Sequence, residues 1–145
     1  MRWLWLGLIA CGGAPAHEPP ANAPSPFVAA SPPAAKPFTV ALASFASTGD
    51  VDATPFADAF TRAFRAEAMR HGKVVACETD QYTCAKLPGI DAAVFGMVIH
   101  VSSGRTEVDV RSVISATSAE RQWHDQAVVD FAAAAKAAYA TVVGP

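Results

Sequence analysis

A proline- and alanine-rich stretch from Ala14 to Pro37 most strongly limits what this chain of 145 residues can fold into. Proline supplies no backbone N–H and favours the extended polyproline II conformation, so the stretch predicts a semi-rigid spacer without a packed core. At ~3.1 Å per residue, its extended length is roughly 70 Å. The folded part therefore begins near Phe38, and the remaining segment of about 105 residues suffices for one small domain.

The residues before the spacer have the pattern of an export signal. Arg2 gives a positively charged start, residues 3–9 are apolar apart from one glycine, and the run ends at small residues such as Ala10. This run is too short for a transmembrane helix, which needs about 20 apolar residues. We therefore expect a signal peptide over 1–10.

The last residues of this signal, Leu8-Ile9-Ala10-Cys11, resemble the lipobox of bacterial lipoproteins. In that family the signal is cut before the cysteine, whose sulfur carries diacylglycerol and whose new amino terminus is acylated. The resemblance implies lipidation at Cys11 with fatty acids such as palmitate, and anchoring in the bacterial envelope. Gly12, rather than Asp, at the second mature position resembles the enterobacterial outer-membrane sorting pattern, so we expect the outer membrane, facing the periplasm. Together with the composition, this gives a lipidated cysteine and linker over 11–37 and a single domain over 38–145. The alternatives are an ordinary cleaved signal and a hydrophobic N-terminus with a chance cysteine.

If Cys11 carries lipid, Cys77 and Cys84 remain as a pair in an oxidising compartment. A disulfide between them closes a loop of eight residues, and the chain-entropy relation gives about 2.5 kcal/mol of stabilisation. A metal pair and a redox pair are the alternatives. The spacing is not Cys-x2-Cys and no second ligand pair accompanies it, so the sequence favours a structural disulfide.

The first part of the domain predicts a buried strand followed by a turn. Residues 38–45 are apolar and are followed by a polar loop over 47–54. Asp50 and Asp52 in this loop are too few for a calcium site, which uses about 6–8 oxygen ligands. We expect a solvated turn here.

Thr54-Pro55 is typical of a helix start, with Thr54 as the N-cap and proline at the first helical position. Gly72 predicts the helix end, as a left-handed C′ residue. The helix carries an aromatic stripe spaced four residues apart, formed by Phe56, Phe60 and Phe64. Such a stripe more often packs on a sheet than lines a binding groove. A strand over 73–78 then completes a β-α-β unit with parallel strands.

The rest of the chain predicts mainly strands. The expected elements are a loop or single helical turn over 79–91, strands over 92–102, 105–116 and 120–126, and a helix over 128–143. Clean alternation in the second of these strands places Val108, Val110 and Ile114 inward. The predicted fold is α/β (α+β), with a mixed sheet of about five strands in the order β-α-β-loop-β-β-β-α and two helices packed on it.

This order resembles the small α/β domain of curli-secretion-type lipoproteins and the TolB amino-terminal domain. The features that carry the resemblance are Ala43-Ser44-Phe45 at the end of the first strand, the helix ending in Gly72, and the strand at 94–98 before a meander. The chain departs from those families at Cys77-Glu78-Thr79, at Thr117-Ser118, and where a loop replaces most of the second helix. The resemblance implies a role in binding other envelope proteins, and no family binding residues carry over.

The sequence contains no recognised catalytic motif, so we expect a protein that is not an enzyme and needs no cofactor or metal. The four histidines are isolated from one another in the sequence. A triad can be assembled from Ser102, His124 and Asp109, but so many polar residues are available that such a match has little weight. The net charge is −2 and no basic cluster is present, which argues against nucleic-acid binding.

The leading prediction is therefore a lipid-anchored periplasmic protein that binds another protein or an assembly of the envelope. The candidate partner surfaces are the edge strand with Trp123 and the disulfide loop over 78–87 with Tyr82. The alternative for Trp123 is that it covers the core from the sheet edge. A second hypothesis is a module that binds a small ligand or a cell-wall glycan in a pocket at the carboxyl ends of the parallel strands, near Ser44 to Asp52. A third is a hydrolase.

Overall fold

Residues 36–144 are described by a computed structural model, as a mixed sheet with three helices. The strands are β1 (Phe38–Leu42), β2 (Ala46–Gly49), β3 (Gly72–Ala76), β4 (Ala92–His100), β5 (Thr106–Ile114) and β6 (Glu120–Asp125). The helices are α1 (Thr54–His71), α2 (Gln81–Lys86) and α3 (Phe131–Val142). The predicted signal peptide over 1–10, the Cys11 lipidation site and nearly all of the linker lie outside the described residues.

The sheet has the strand order β3-β1-β4-β5-β6, with β2 paired to β4 beyond the end of β1. β1 runs parallel to both of its neighbours, so that Val40 lies opposite Val74 on one side and Ala92 on the other. β4, β5 and β6 form an antiparallel meander. The α/β class and the mixed sheet packed against helices are therefore confirmed. The predicted order of elements is also found, with β2 and α2 as additional elements.

Two segments are more regular than the sequence predicted: the turn region over 47–54, and the loop or single helical turn over 79–91. Residues 46–49 in the predicted turn region form β2, which pairs in parallel with β4 from Met97 to His100. Residues 81–86 form α2, where the Asp80 side chain accepts hydrogen bonds from the backbone N–H groups of Tyr82 and Thr83. The strand count is thus six rather than five, because β2 is held by its partner strand and has no apolar pattern of its own.

Both predicted caps of α1 differ from the structure. Ala53 occupies the N-cap position, and the Asp52 carboxylate accepts the backbone N–H of Thr54 at 3.0 Å. Gly72 is extended, with φ 176°, and begins β3 directly after the helix. A side chain at Gly72 would collide with the carbonyl oxygen of Phe38 on the neighbouring strand. Glycine is needed there for close strand approach and not for a left-handed turn.

The main core lies between one face of the sheet and the helices α1 and α3. The predicted aromatic stripe packs on the sheet as expected, because Phe60 and Phe64 are completely buried. Phe45, from the loop after β1, meets the edge of the Phe60 ring with centroids 5.0 Å apart. Strand residues from β1, β4 and β5 complete this core, among them Val40, Val94, Val98, Val108 and Val110.

The inward face of β5 differs from the prediction at its end. Val108 and Val110 are buried as expected, whereas Ile114 lies at the end of the strand and is only half-buried. Ser112 is fully buried on the same face, where its hydroxyl donates a hydrogen bond to the Val142 carbonyl at the end of α3. This bond satisfies the hydroxyl inside an otherwise apolar core.

The opposite face of the sheet carries a smaller core beneath α2. Cys84 and Ala85 of this helix pack on Ala41, Ala93 and Val113. Cys77 and Cys84 lie at disulfide-bonding distance, with their Cα atoms 5.9 Å apart, so the helix is tied to the end of β3. Within residues 36–144, no helix is long and apolar enough to cross a membrane.

Candidate functional site

The structure does not assemble the triad considered from the sequence. The Ser102 hydroxyl donates to Asp50 at 2.7 Å, and the Ser102 backbone N–H donates to the same carboxylate at 2.8 Å. These two hydrogen bonds hold the pKa of Asp50 below its usual value. His124 instead lies across from Asp109, with Nδ1 3.8 Å from the carboxylate. Ser102 and Asp50 therefore tie the end of β2 to the turn after β4, and Ser102 has no histidine partner among residues 36–144.

The other two histidines in the described part of the chain pack against aromatic rings. His100 stacks on Phe56, with ring centroids 3.9 Å apart, and its Nδ1 lies 2.9 Å from the Thr106 hydroxyl. His71 stacks on Tyr139 and hydrogen-bonds Glu67 at 2.9 Å. Residues 36–144 contain no group of three or more histidine, cysteine or acidic side chains placed to hold a metal ion.

A groove of about 410 Å³ lies at the carboxyl ends of the parallel strands β1 and β3. We name it the arginine groove; it is lined by Leu42, Ser44, Thr61, Arg62, Arg65, Ala76, Cys77 and Glu78. Ligands of open α/β sheets commonly bind in crevices outside the carboxyl ends of the strands. The sequence predicted a pocket at this edge near Ser44 to Asp52; of those residues only Ser44 lines the groove, because residues 46–49 form β2 and pair with β4.

Hydrogen bonds to backbone groups fix both walls of the arginine groove. The Thr61 hydroxyl donates to the Ala57 carbonyl at 2.8 Å and accepts the backbone N–H of Phe45 at 3.2 Å, which holds the loop after β1 against α1. On the other wall, the Cys77 backbone N–H donates to the Leu42 carbonyl at 3.0 Å. The groove is therefore formed before any ligand binds.

A second depression lies on the opposite face of the sheet, beside the area that α2 covers. We name it the open-face hollow; it has a volume of about 250 Å³ and is lined by Ala46, Phe95, Gly96, Met97, Asp109 and Arg111. Phe95 is half-buried, and Met97 keeps 39% of its surface exposed. Asp109 accepts a hydrogen bond from Arg111 at 2.9 Å and another from Gln122, so the polar rim is internally paired.

The two side chains proposed from the sequence as partner surfaces lie on different faces. Tyr82 on α2 is 46% exposed, and its hydroxyl donates to Glu120, which raises the pKa of the tyrosine. Trp123 lies opposite Val110 in the β5–β6 ladder and packs, half-buried, against the main core. Trp123 therefore covers the core from the sheet edge, which is the alternative that the sequence left open, and only Tyr82 lies on the side of the hollow.

The sequence reasoning missed Arg62 and Arg65. Their spacing places them on one side of α1, off the aromatic stripe. From the sequence alone, charged residues at such positions indicate only a solvated helix face. Arg62 and Arg65 line the arginine groove together with Cys77 and Glu78, which follow β3. No pattern within α1 could have indicated that the residues after β3 complete a groove beside this helix.

No known protein family matches this chain, and no curated protein matches it. Among solved structures, it is similar to a PelC dodecamer from Paraburkholderia phytofirmans, with 15% identity, a TM-score of 0.42, and coverage of 79% of this chain and 91% of that chain. It is likewise similar to a point variant of that PelC dodecamer, with 15% identity, a TM-score of 0.43, and coverage of 79% and 92%.

Proposed function

We propose that this chain is a non-catalytic, lipid-anchored periplasmic protein that docks another envelope protein through the open-face hollow. The observation that supports docking is the uneven cover of the sheet. Helices α1 and α3 bury one face, whereas α2 covers only part of the other, beside which Phe95 and Met97 remain accessible. Partly exposed apolar side chains next to a polar rim are typical of protein interfaces.

The chemistry of the hollow favours a neutral, apolar group from the partner. Because Asp109 and Arg111 neutralise each other, the rim offers no net charge to attract an ion. Ala46 and Gly96 line the hollow beside the partly exposed Met97. An aliphatic or aromatic side chain of a folded partner would fill this space, and such anchors in small pockets contribute most of the free energy of binding in many interfaces.

The anchor is the second part of the proposal. The lipobox resemblance at Cys11 and the spacer to Pro37 support a domain held at a distance from the bilayer, at the outer membrane and facing the periplasm. A tether of this length lets the domain reach a partner that does not lie at the membrane surface. No cofactor or metal enters the proposal.

The docking part is tested by photo-crosslinking in the native envelope, comparing wild type with Met97→Glu. The matched control is Met69→Glu, since Met69 is 62% exposed on α1 and lies outside the hollow. We expect one defined crosslinked partner to be retained by Met69→Glu and lost by Met97→Glu. If both variants capture the same proteins as wild type, docking through the hollow is wrong.

The anchor is tested separately with Cys11→Ala. Wild type should incorporate labelled palmitate and fractionate with the membrane, and the variant should do neither. Membrane association that is equal in both proteins, without label, would refute lipidation at Cys11.

A second candidate function, the binding of a small ligand or glycan, is favoured by the arginine groove. A hydrolase remains the weakest candidate, since Ser102 is bound to Asp50 and has no histidine partner among residues 36–144.

A further inference from the structure

Arg62 and Arg65 differ from the other arginines in the described part of the chain. The others each have an acceptor: Arg70 pairs with Glu67, Arg105 with Glu107, Arg111 with Asp109, and Arg121 with the Gly144 carbonyl. Neither Arg62 nor Arg65 has an ion pair or a hydrogen-bonded acceptor among residues 36–144. Both arginines line the same groove.

The charge of the groove is opposite in sign to that of the protein. Arg62, Arg65 and Glu78 together give the lining a net charge of about +1, whereas the whole chain carries −2. A guanidinium group presents a planar set of donors that matches a carboxylate in a bidentate manner. The groove therefore attracts an anion that brings oxygen acceptors.

Glu78 restricts the kind of anion. Its carboxylate, on the wall opposite α1, repels a second negative charge and accepts hydrogen bonds from hydroxyl groups. The Ser44 hydroxyl is exposed at the same edge. A ligand with one carboxylate and several hydroxyl groups satisfies both sets of side chains, and a dianion such as phosphate does not.

The size and position of the groove agree with a ligand of one or two sugar units. Its volume of about 410 Å³ lies within the range of roughly 300–1,000 Å³ typical of small-molecule sites. Leu42 and Ala76, at the strand ends, provide an apolar floor for a ring, and the hydrogen bonds of Thr61 and Cys77 hold the walls in place.

We infer that the arginine groove binds an acidic sugar, a hexuronate either free or within a glycan, with its carboxylate on Arg62 and Arg65 and its hydroxyl groups on Glu78 and Ser44. This inference is independent of the open-face hollow, which lies on the other face of the sheet.

The test is titration of the purified protein with glucuronate, followed by calorimetry and by backbone amide NMR shifts. Glucose is the neutral control, and inorganic phosphate is the competing anion. We expect glucuronate to shift the amides of residues 42–44, 61–65 and 76–78, and to bind at least tenfold more tightly than glucose or phosphate. An oligomer of the same uronic acid is tested in parallel, and tighter binding by the oligomer assigns a glycan while equal binding assigns the single sugar.

The variants separate the groove from general charge. Arg62→Gln combined with Arg65→Gln should lose glucuronate binding at least tenfold, and Arg70→Gln, on the same helix but outside the groove, should leave it unchanged. Glu78→Gln should reduce the ratio of the affinity for glucuronate to the affinity for phosphate. Absence of shifts in the groove, equal binding of glucose, or retained affinity in the double variant each overturns the inference. Met97→Glu should bind glucuronate as wild type does, which separates this result from the outcome for docking.

Discussion

The bond between Cys77 and Cys84 is expected to contribute a measurable part of the domain stability. It closes a loop of eight residues, and the Cα separation of 5.9 Å lies within the usual range for disulfides. The chain-entropy relation for a loop of this length gives about 2.5 kcal/mol at 25 °C, because the bridge restricts the unfolded chain. For a domain of this size, that change corresponds to a shift in Tm of about 10 °C or more.

Loss of the bridge should also destabilise α2 locally. Cys84 is 1% exposed and belongs to the small core beneath α2, where it packs near Ala41, Ala93 and Val113. Without the bridge, the six-residue helix α2 is held by this packing, by its Asp80 cap and by the contact of Tyr82 with Glu120. We therefore expect increased amide exchange over 77–87 in the reduced protein, before global unfolding.

The assay is urea and thermal unfolding of the purified protein with and without reductant, together with Cys77→Ala/Cys84→Ala. Reduced wild type is the better comparison, since alanine at position 84 also removes buried sulfur. A thiol count on the unfolded, unreduced protein identifies the bridge directly. Equal Tm values for the oxidised and reduced proteins would refute the loop-entropy reasoning, and two free thiols beyond Cys11 would refute the bridge itself.

Three further predictions concern the packing and the hydrogen bonds. Phe60→Ala should lower the free energy of unfolding by about 3–5 kcal/mol in urea denaturation, because Phe60 is completely buried among aromatic rings; a loss below about 1 kcal/mol would contradict the core assignment. Asp130→Ala should cost about 1 kcal/mol, since its carboxylate accepts the N–H groups of the first turn of α3, and an unchanged urea midpoint would mean that the cap is not used. The hydrogen bonds from Ser102 lower the pKa of Asp50 in the folded state. The ionised carboxylate therefore stabilises the fold at pH values above the usual pKa of an aspartate, and this stabilisation is lost as the pH falls through the folded-state pKa. Ser102→Ala should therefore be less stable than wild type at neutral pH, with a difference that shrinks below about pH 4, and a difference independent of pH would exclude this linkage.

Local patterns in the sequence were sufficient for much of the fold. The spacing of Phe56, Phe60 and Phe64 identified α1 and its buried face, and alternation in β5 identified Val108 and Val110 as inward residues. These features can be predicted because each helix or strand must bury one face, and the spacing of its apolar residues shows which face is buried. The cysteine spacing likewise indicated the pair that the structure brings together.

What the sequence could not supply depends on partners distant in the chain. β2 has no apolar period and is held by pairing with Met97 to His100, and Gly72 is required by its approach to Phe38 and not by a turn. The arginine groove is formed by α1 together with the residues at the end of β3. From the sequence alone, Arg62 and Arg65 are therefore indistinguishable from residues on an ordinary solvated helix face. Periodicity reports whether a side chain faces the core. Which exposed side chains meet, and so form a binding site, is decided by the arrangement of strands and helices in the tertiary structure.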